Sequence, residues 1–284
     1  MQFNYLNGKF LYKNESKIST EDRGFNFADG VYEVIAFRKK NLLNYSKHIK
    51  RLKYSLKNLK INSPLTNLNS LNFILKYLIN INFLEHGFLY IQITRGSSER
   101  NHLFSSELKS NLFISIFQTK NLKKFKQSGV KVITSDDIRW KRCDIKSISL
   151  LPNVIGKQAA FDMKAYESWQ KINKYITEGT TSNAFIIKDK KIFTHKKNNH
   201  ILGGVTRDVV IGIIKKKNIK IFEKKFSIDD AYNADEAFLT STTVGILPVI
   251  MIDKKKIFNG KVGTLTKKLI VEYEEYLKRQ ITDE

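Results

Sequence analysis

The first hundred residues alternate short apolar runs with turns, and the period then lengthens. Leu6-Asn7-Gly8-Lys9-Phe10 places Asn-Gly between strand-forming residues, the pattern of a tight hairpin. Val31 to Phe37 is an apolar, β-rich run, and Lys39-Lys40-Asn41 closes it with a turn. Ile49, Leu52, Leu56 and Leu59 recur at three- and four-residue spacing, which predicts a helix over 46–59. His48 and Arg51 are three apart and share a face of that helix. Leu68, Leu71, Leu75 and Leu78 predict a second helix. Residues 88–94 and 111–117 read as strands.

From Lys120 to Lys126 the pattern loses its period, and a linker is expected over 120–128. It separates a small domain, 1–119, from a larger one, 129–284. Val130 to Thr134 is a strand. Residues 148–170 read as a helix with Pro152 near its start, where proline is tolerated. Residues 184–187 and 191–194 form a hairpin. A helix filled by Val209, Ile211, Ile213 and Ile214 opens near Thr206, and Glu236 to Leu239 is a strand. Residues 264–280 form a charged amphipathic helix. Strands and helices are interspersed without internal repeats, so the expected class is α/β (α+β).

The apolar fraction, 42% of 284 residues, is enough for a proper core. No apolar run approaches a membrane span, and Met1 to Leu6 lacks the basic and apolar regions of a signal peptide. Cys143 is the one cysteine, which excludes an internal disulfide and a cysteine metal cage; a reducing cytoplasm is the expected location. The net charge of +23 invites a nucleic-acid partner. However, 41 lysines spread along the whole chain carry most of it, beside nine arginines, and no basic stripe interleaves with aromatic residues. Asn, Ile, Lys and Phe are all abundant, as A/T-rich coding DNA produces, so the charge reads as composition with no nucleic-acid partner and no membrane. The few arginines mark positions where a flat, forked cation is required.

Candidate chemistry gathers in four segments. Lys146 follows Ile145 and precedes Ile148, Leu150 and Leu151; an apolar setting favours a nucleophilic amine, although most lysines are simply solvated. Glu178 lies between Tyr175-Ile176 and a Gly-Thr-Thr-Ser turn, either as a turn carboxylate or as an anionic partner for a pyridine nitrogen. Gly203-Gly204-Val205-Thr206 precedes an apolar helix, where free backbone N–H groups suit a phosphate. Ser241, Thr242 and Thr243 end a strand, and Arg51 supplies a forked cation. A lysine, an acid and two anion-binding turns are the parts needed to hold pyridoxal phosphate. Tyr32 follows a tight turn. Arg100 and His102 lie on a polar loop that is either solvated or able to clamp a carboxylate.

The chain resembles the class IV (fold-type IV) pyridoxal-phosphate aminotransferases, and within them the D-amino-acid (D-alanine) branch. The likeness runs from Glu21-Asp22-Arg23-Gly24 and Asp29-Gly30-Val31-Tyr32-Glu33 through His48-Ile49-Lys50-Arg51, Thr94-Arg95-Gly96, Asp137-Ile138-Arg139-Trp140 and Asp144-Ile145-Lys146-Ser147. It continues through Thr177-Glu178-Gly179, Val205-Thr206-Arg207-Asp208 and Thr240-Ser241-Thr242-Thr243. It implies a small α/β domain, a larger domain with a pseudo-barrel sheet, and a cofactor at their interface. It makes Lys146 the Schiff-base lysine and proton carrier, and Glu178 the partner of the pyridine nitrogen. Arg51, Val205, Thr206 and Thr242 would hold the phosphate, Leu202 would pack on the ring, and Ser182 would lie beside the cofactor. Tyr32, Arg100 and His102 would bind the substrate carboxylate, the loop reaching over from the neighbouring subunit of a homodimer. Transfer between D-amino acids and 2-oxo acids is the implied reaction. Branched-chain L-amino-acid transamination and aminodeoxychorismate lysis are the alternatives within the family. Glu99 stands where proline is frequent, and Ala28 where glycine is usual.

Overall fold

The computed structural model describes residues 2–282 except Asn69 and Lys120. Lys120, the first residue of the expected linker, therefore lies outside the described residues, as do Asp283 and Glu284. The chain divides into two compact units. One comprises residues 1–120, Ile145–Ser149 and 280–284; the other comprises Asn121–Asp144 and Leu150–Arg279.

The first unit is an antiparallel sheet covered by helices. Its elements are β1 (Phe3–Leu6), β2 (Lys9–Tyr12), α1 (Arg23–Phe27), β3 (Gly30–Arg38), β4 (Asn41–Leu42), α2 (Tyr45–Leu59), α3 (Ser70–Ile81), β5 (His86–Thr94) and β6 (Asn111–Gln118). The strand order is β2-β1-β6-β5-β3-β4. The hairpin turn forms as its sequence expects, with Asn7 and Gly8 both at positive φ. Lys39 and Lys40 close β3 onto β4 in the same way. Along β3 the residues alternate: Val31, Ile35 and Phe37 join Ile49, Leu52 and Leu56 of α2 and Leu71, Leu75 and Leu78 of α3 in one core. Glu33 falls in the same buried register, so it must find partners among the helices. Ala28 caps α1 at φ 55°, a left-handed position that costs a non-glycine residue about 1–2 kcal/mol.

The second unit contains α4 (Lys123–Ser128), β7 (Val130–Asp136), α5 (Leu151–Asp162), β8 (Glu167–Ile172), β9 (Tyr175–Gly179), β10 (Asn183–Lys188), β11 (Lys191–Thr194) and α6 (Val205–Lys216). It goes on with β12 (Ile221–Glu223), α7 (Ile228–Tyr232), β13 (Glu236–Ser241), β14 (Gly245–Ile252), β15 (Lys255–Lys256) and α8 (Thr264–Thr282). Its sheet runs β12-β11-β10-β13-β14-β7-β8-β9, with β15 on β14. The end strand β9 connects to the interior strand β10 by a tight turn, in which Gly179 N donates to Ser182 O at 2.8 Å. The sheet must curl for so short a link to join these two strands.

Two readings of the sequence change here. The aperiodic lysine-rich stretch contains a short helix, α4. The helix expected over 148–170 stops at Asp162, and Glu167–Ile172 is a strand paired in parallel with β7. Lys164 at φ 55° turns the chain between the two. Trp169 is fully buried in this strand and anchors the second core. Trp169→Ala is expected to cost about 3–5 kcal/mol, read as a lowered urea midpoint at constant slope. A loss below about 1 kcal/mol would mean that the tryptophan is not a packing anchor.

Candidate active site

Lys146 is held by its backbone. Its N–H donates to Ser55 Oγ of α2 at 3.1 Å, and its carbonyl accepts from Tyr32 N at 3.0 Å. Ser147 forms an isolated bridge with Val31, and Ile148 N donates to Gly30 O, so the segment around Lys146 is pinned against β3. Ile145 is buried in the first core. The side chain is half-buried, with Nζ 3.9 Å from the Tyr32 ring centroid. Tyr32 in turn stacks on Tyr90 at 5.5 Å. The amine therefore faces an aromatic surface rather than a carboxylate.

Arg51 and His48 meet on Glu33. The guanidinium forks onto the carboxylate, Nε to Oε2 at 2.9 Å and Nη2 to Oε1 at 2.6 Å. Burial opposes the charge on Glu33, but Arg51 and His48 outweigh it and hold the carboxyl well below its ordinary range. An ionised Glu33 only accepts, so His48 Nδ1, 3.0 Å from Oε1, must carry the proton. Burial lowers the His48 pKa, with Glu33 pulling the other way. The face shared by His48 and Arg51 was legible in the sequence; its partner, Glu33, was not.

Glu178 is the penultimate residue of β9, with its side chain almost fully buried. Arg139 Nη1 donates to Oε1 at 2.5 Å, Asn183 Nδ2 to Oε2 at 2.8 Å, and Leu202 N to Oε1 at 3.0 Å. Arg139 is also gripped by Asp137, through Nη2 to Oδ2 at 2.7 Å and Nε to Oδ1 at 2.9 Å. Thr177 Oγ1 completes the set on Asp137. Burial raises the Asp137 carboxyl, yet its bonds to Arg139 hold it below the ordinary range. Burial pushes Glu178 up to about 6, against Arg139 and with Asp137. One guanidinium thus faces two carboxylates in a buried cluster, and a further cation placed on Glu178 would balance it. Asn183 also bonds Leu202 O, tying the Gly203-Gly204 turn to the acid.

Helix α6 starts at Val205 with Gly204 as its N-cap and no side-chain cap. The first N–H groups of such a helix have no intrahelical acceptor and suit an anion. A Cβ on Gly204 would collide with Asn183 Oδ1, so glycine lets the turn approach the acid's partner. In the β13–β14 turn Thr242 is half-buried, and Thr240 Oγ1 beside it is buried without a partner. The Ser182 hydroxyl donates to buried Glu167.

Arg100 and His102 are exposed on the loop between β5 and β6, where both flank the Phe27 ring, at 5.1 Å and 5.3 Å. Arg95 is the first residue after β5. It is buried, forks onto Asp29, and donates to the carbonyls of Leu59 and Lys60.

Residues 30–252 match the family model described as amino-transferase class IV. The chain is 39% identical over 279 residues to the D-alanine aminotransferase of Staphylococcus aureus (strain N315), covering 96% of this chain and 97% of the relative. The chain belongs to the class IV aminotransferases. The D-alanine aminotransferase of Bacillus licheniformis is 39% identical over 92% of each chain. In fold, this class IV chain is similar to the branched-chain amino acid aminotransferase of Escherichia coli, with a TM-score of 0.91 at 21% identity over 97% and 94% of the two chains. The branched-chain aminotransferase of the archaeon Thermoproteus uzoniensis, solved with norvaline, gives 0.87 at 23% identity over 98% and 95%. These structural likenesses bear on the fold: a mixed α/β architecture with a curled half-barrel sheet, of fold type IV.

Proposed function

We propose that this transaminase binds pyridoxal 5'-phosphate and moves the amino group of D-alanine, or a similar D-amino acid, to a 2-oxo acid. The relationship to D-alanine aminotransferases along 96% of the chain carries this reading. The donor set fits the cofactor. Glu178 offers a buried carboxylate in a cluster short of one cation, and α6 offers uncapped N–H groups. When bound, the cofactor supplies an electron sink for the substrate's α-carbanion.

The protein's own groups divide the remaining work. Lys146 would hold the cofactor aldehyde through its amine, and as a free amine it would move the proton at the substrate α-carbon. Its fixed backbone limits where the amine can reach. Glu178, oriented by Arg139, Asn183 and Leu202 N, would hold the ring nitrogen and favour its cationic form. Val205, Thr206 and Thr242 would hold the phosphate, and Arg51, whose orientation Glu33 sets, would supply its forked cation. Leu202 packs on the ring, and Ser182 acts on that side through Glu167. Tyr32, Arg100 and His102 bind the substrate carboxylate, the latter two from a partner subunit in a homodimer.

Turnover with D-alanine against L-leucine and aminodeoxychorismate tests the substrate. D-alanine is expected to win, and Arg100→Ala to lower kcat/KM for it by about 10²-fold through loss of a forked carboxylate contact. Preferential use of L-leucine, or undiminished efficiency in Arg100→Ala, contradicts the reading.

A further inference from the structure

We propose that Arg23 is a positioning residue that sets the loop bearing Arg100 and His102, and so sets the grip on the substrate carboxylate. The inference rests on the clamp reading of that loop given above. Arg23 opens α1, yet its side chain is only 4% exposed. Nη1 donates to Asn101 O at 2.6 Å and Leu103 O at 3.2 Å, and Nη2 to His102 O at 3.3 Å. Three successive carbonyls of one loop converge on one guanidinium. Nε donates to Asp29 Oδ2 at 3.0 Å, so the same plane joins the loop to the residue just before β3. Asp29 also takes the fork of Arg95, and Tyr32 lies three residues further along the chain. Phe27 packs at 4.8 Å from the Arg23 guanidinium and touches both Arg100 and His102.

Further along, the loop is tied by Asn62 Nδ2, which donates to Ser106 O at 2.7 Å, and by the Arg95 guanidinium 3.6 Å from the Phe104 ring, so Arg23 is what holds the stretch bearing Arg100 and His102. Residues 99–108 pair with no strand, and their side chains are mostly exposed. A loop in this state must be ordered when substrate binds, at an entropic cost that Arg23 removes in advance. A lysine cannot substitute, because its compact ammonium lacks the flat fork that meets four acceptors at once. Loosening the loop weakens substrate capture while leaving the groups that do the chemistry in place, so the loss belongs in KM rather than kcat.

The test is a double-mutant cycle on the holoenzyme with D-alanine. Arg23→Lys, which retains a charge opposite Asp29, is expected to raise KM about tenfold with kcat within about threefold and unchanged cofactor absorbance. The Arg23→Lys/Arg100→Ala double variant is expected to lose less than the two single losses combined, since Arg23 acts through the loop and only its effect on His102 remains. A wild-type KM in Arg23→Lys, or losses that simply add in the double variant, overturns the positioning role. If Arg23→Lys does not fold, Asp29→Asn carries the test: the same selective rise in KM supports the role, and an unaltered KM overturns it. An Arg100→Ala enzyme with normal KM overturns the clamp itself, a result separable from failure at Arg23 alone.

Discussion

Replacing Lys146 by alanine is expected to lower turnover of D-alanine by about 10⁴-fold or more, because one group serves as both anchor and proton carrier. The visible absorbance of the bound cofactor should disappear with it. The fold should survive. The hydrogen bonds at Lys146 use backbone atoms, N to Ser55 and O from Tyr32, and alanine retains both. The side chain packs on the Tyr32 ring, a contact worth about 0.5–1 kcal/mol at a partly exposed site. Thermal unfolding of the apo forms should therefore nearly coincide. Turnover within tenfold of wild type would remove Lys146 from the chemistry.

Glu178→Gln should lower kcat on the order of 10²-fold, through loss of the charge that keeps the ring nitrogen protonated. The amide has nearly the same shape, but its NH₂ would confront Arg139, Asn183 or Leu202 N, all of them donors. The pH dependence carries a second signature. Burial pushes the Glu178 carboxyl up to about 6, and only its ionised form supplies the negative charge that holds a cationic ring. Cofactor affinity of the apoprotein should therefore be full above this value. It should fall as pH drops through about 6, by up to tenfold per unit below it. The cofactor phosphate also titrates in this region, so the difference between wild type and Glu178→Gln is the quantity to read. Parallel pH profiles for the two proteins would show that Glu178 does not face the ring.

Local patterning announced much of this molecule. The Asn-Gly hairpin, the α2 and α3 periodicities and the uncapped glycine turn before α6 are written in consecutive residues and appear where the sequence placed them. Failures follow from non-local pairing. Nothing between residues 163 and 172 signals that β8 will pair in parallel with β7, so the helix pattern ran on past Asp162. The return of residues 145–149 to the first unit depends on backbone bonds to Gly30, Tyr32 and Ser55, distant in sequence. The retained arginines were the better guide to the site. Arg23, Arg51, Arg95 and Arg139 each bond an acid, and none of those pairings is visible until the chain folds. Asp137 belongs to a motif read as a family mark and Asn183 to none, and the work of the two on Arg139 and Glu178 emerges only from distances.

Borohydride reduction of the purified holoprotein, followed by peptide mass mapping, tests the anchoring lysine most directly. One phosphopyridoxyl group per chain should appear, on the peptide containing Lys146. A label on any other lysine, or no label at all, contradicts the assignment of Lys146 and the cofactor chemistry built on it.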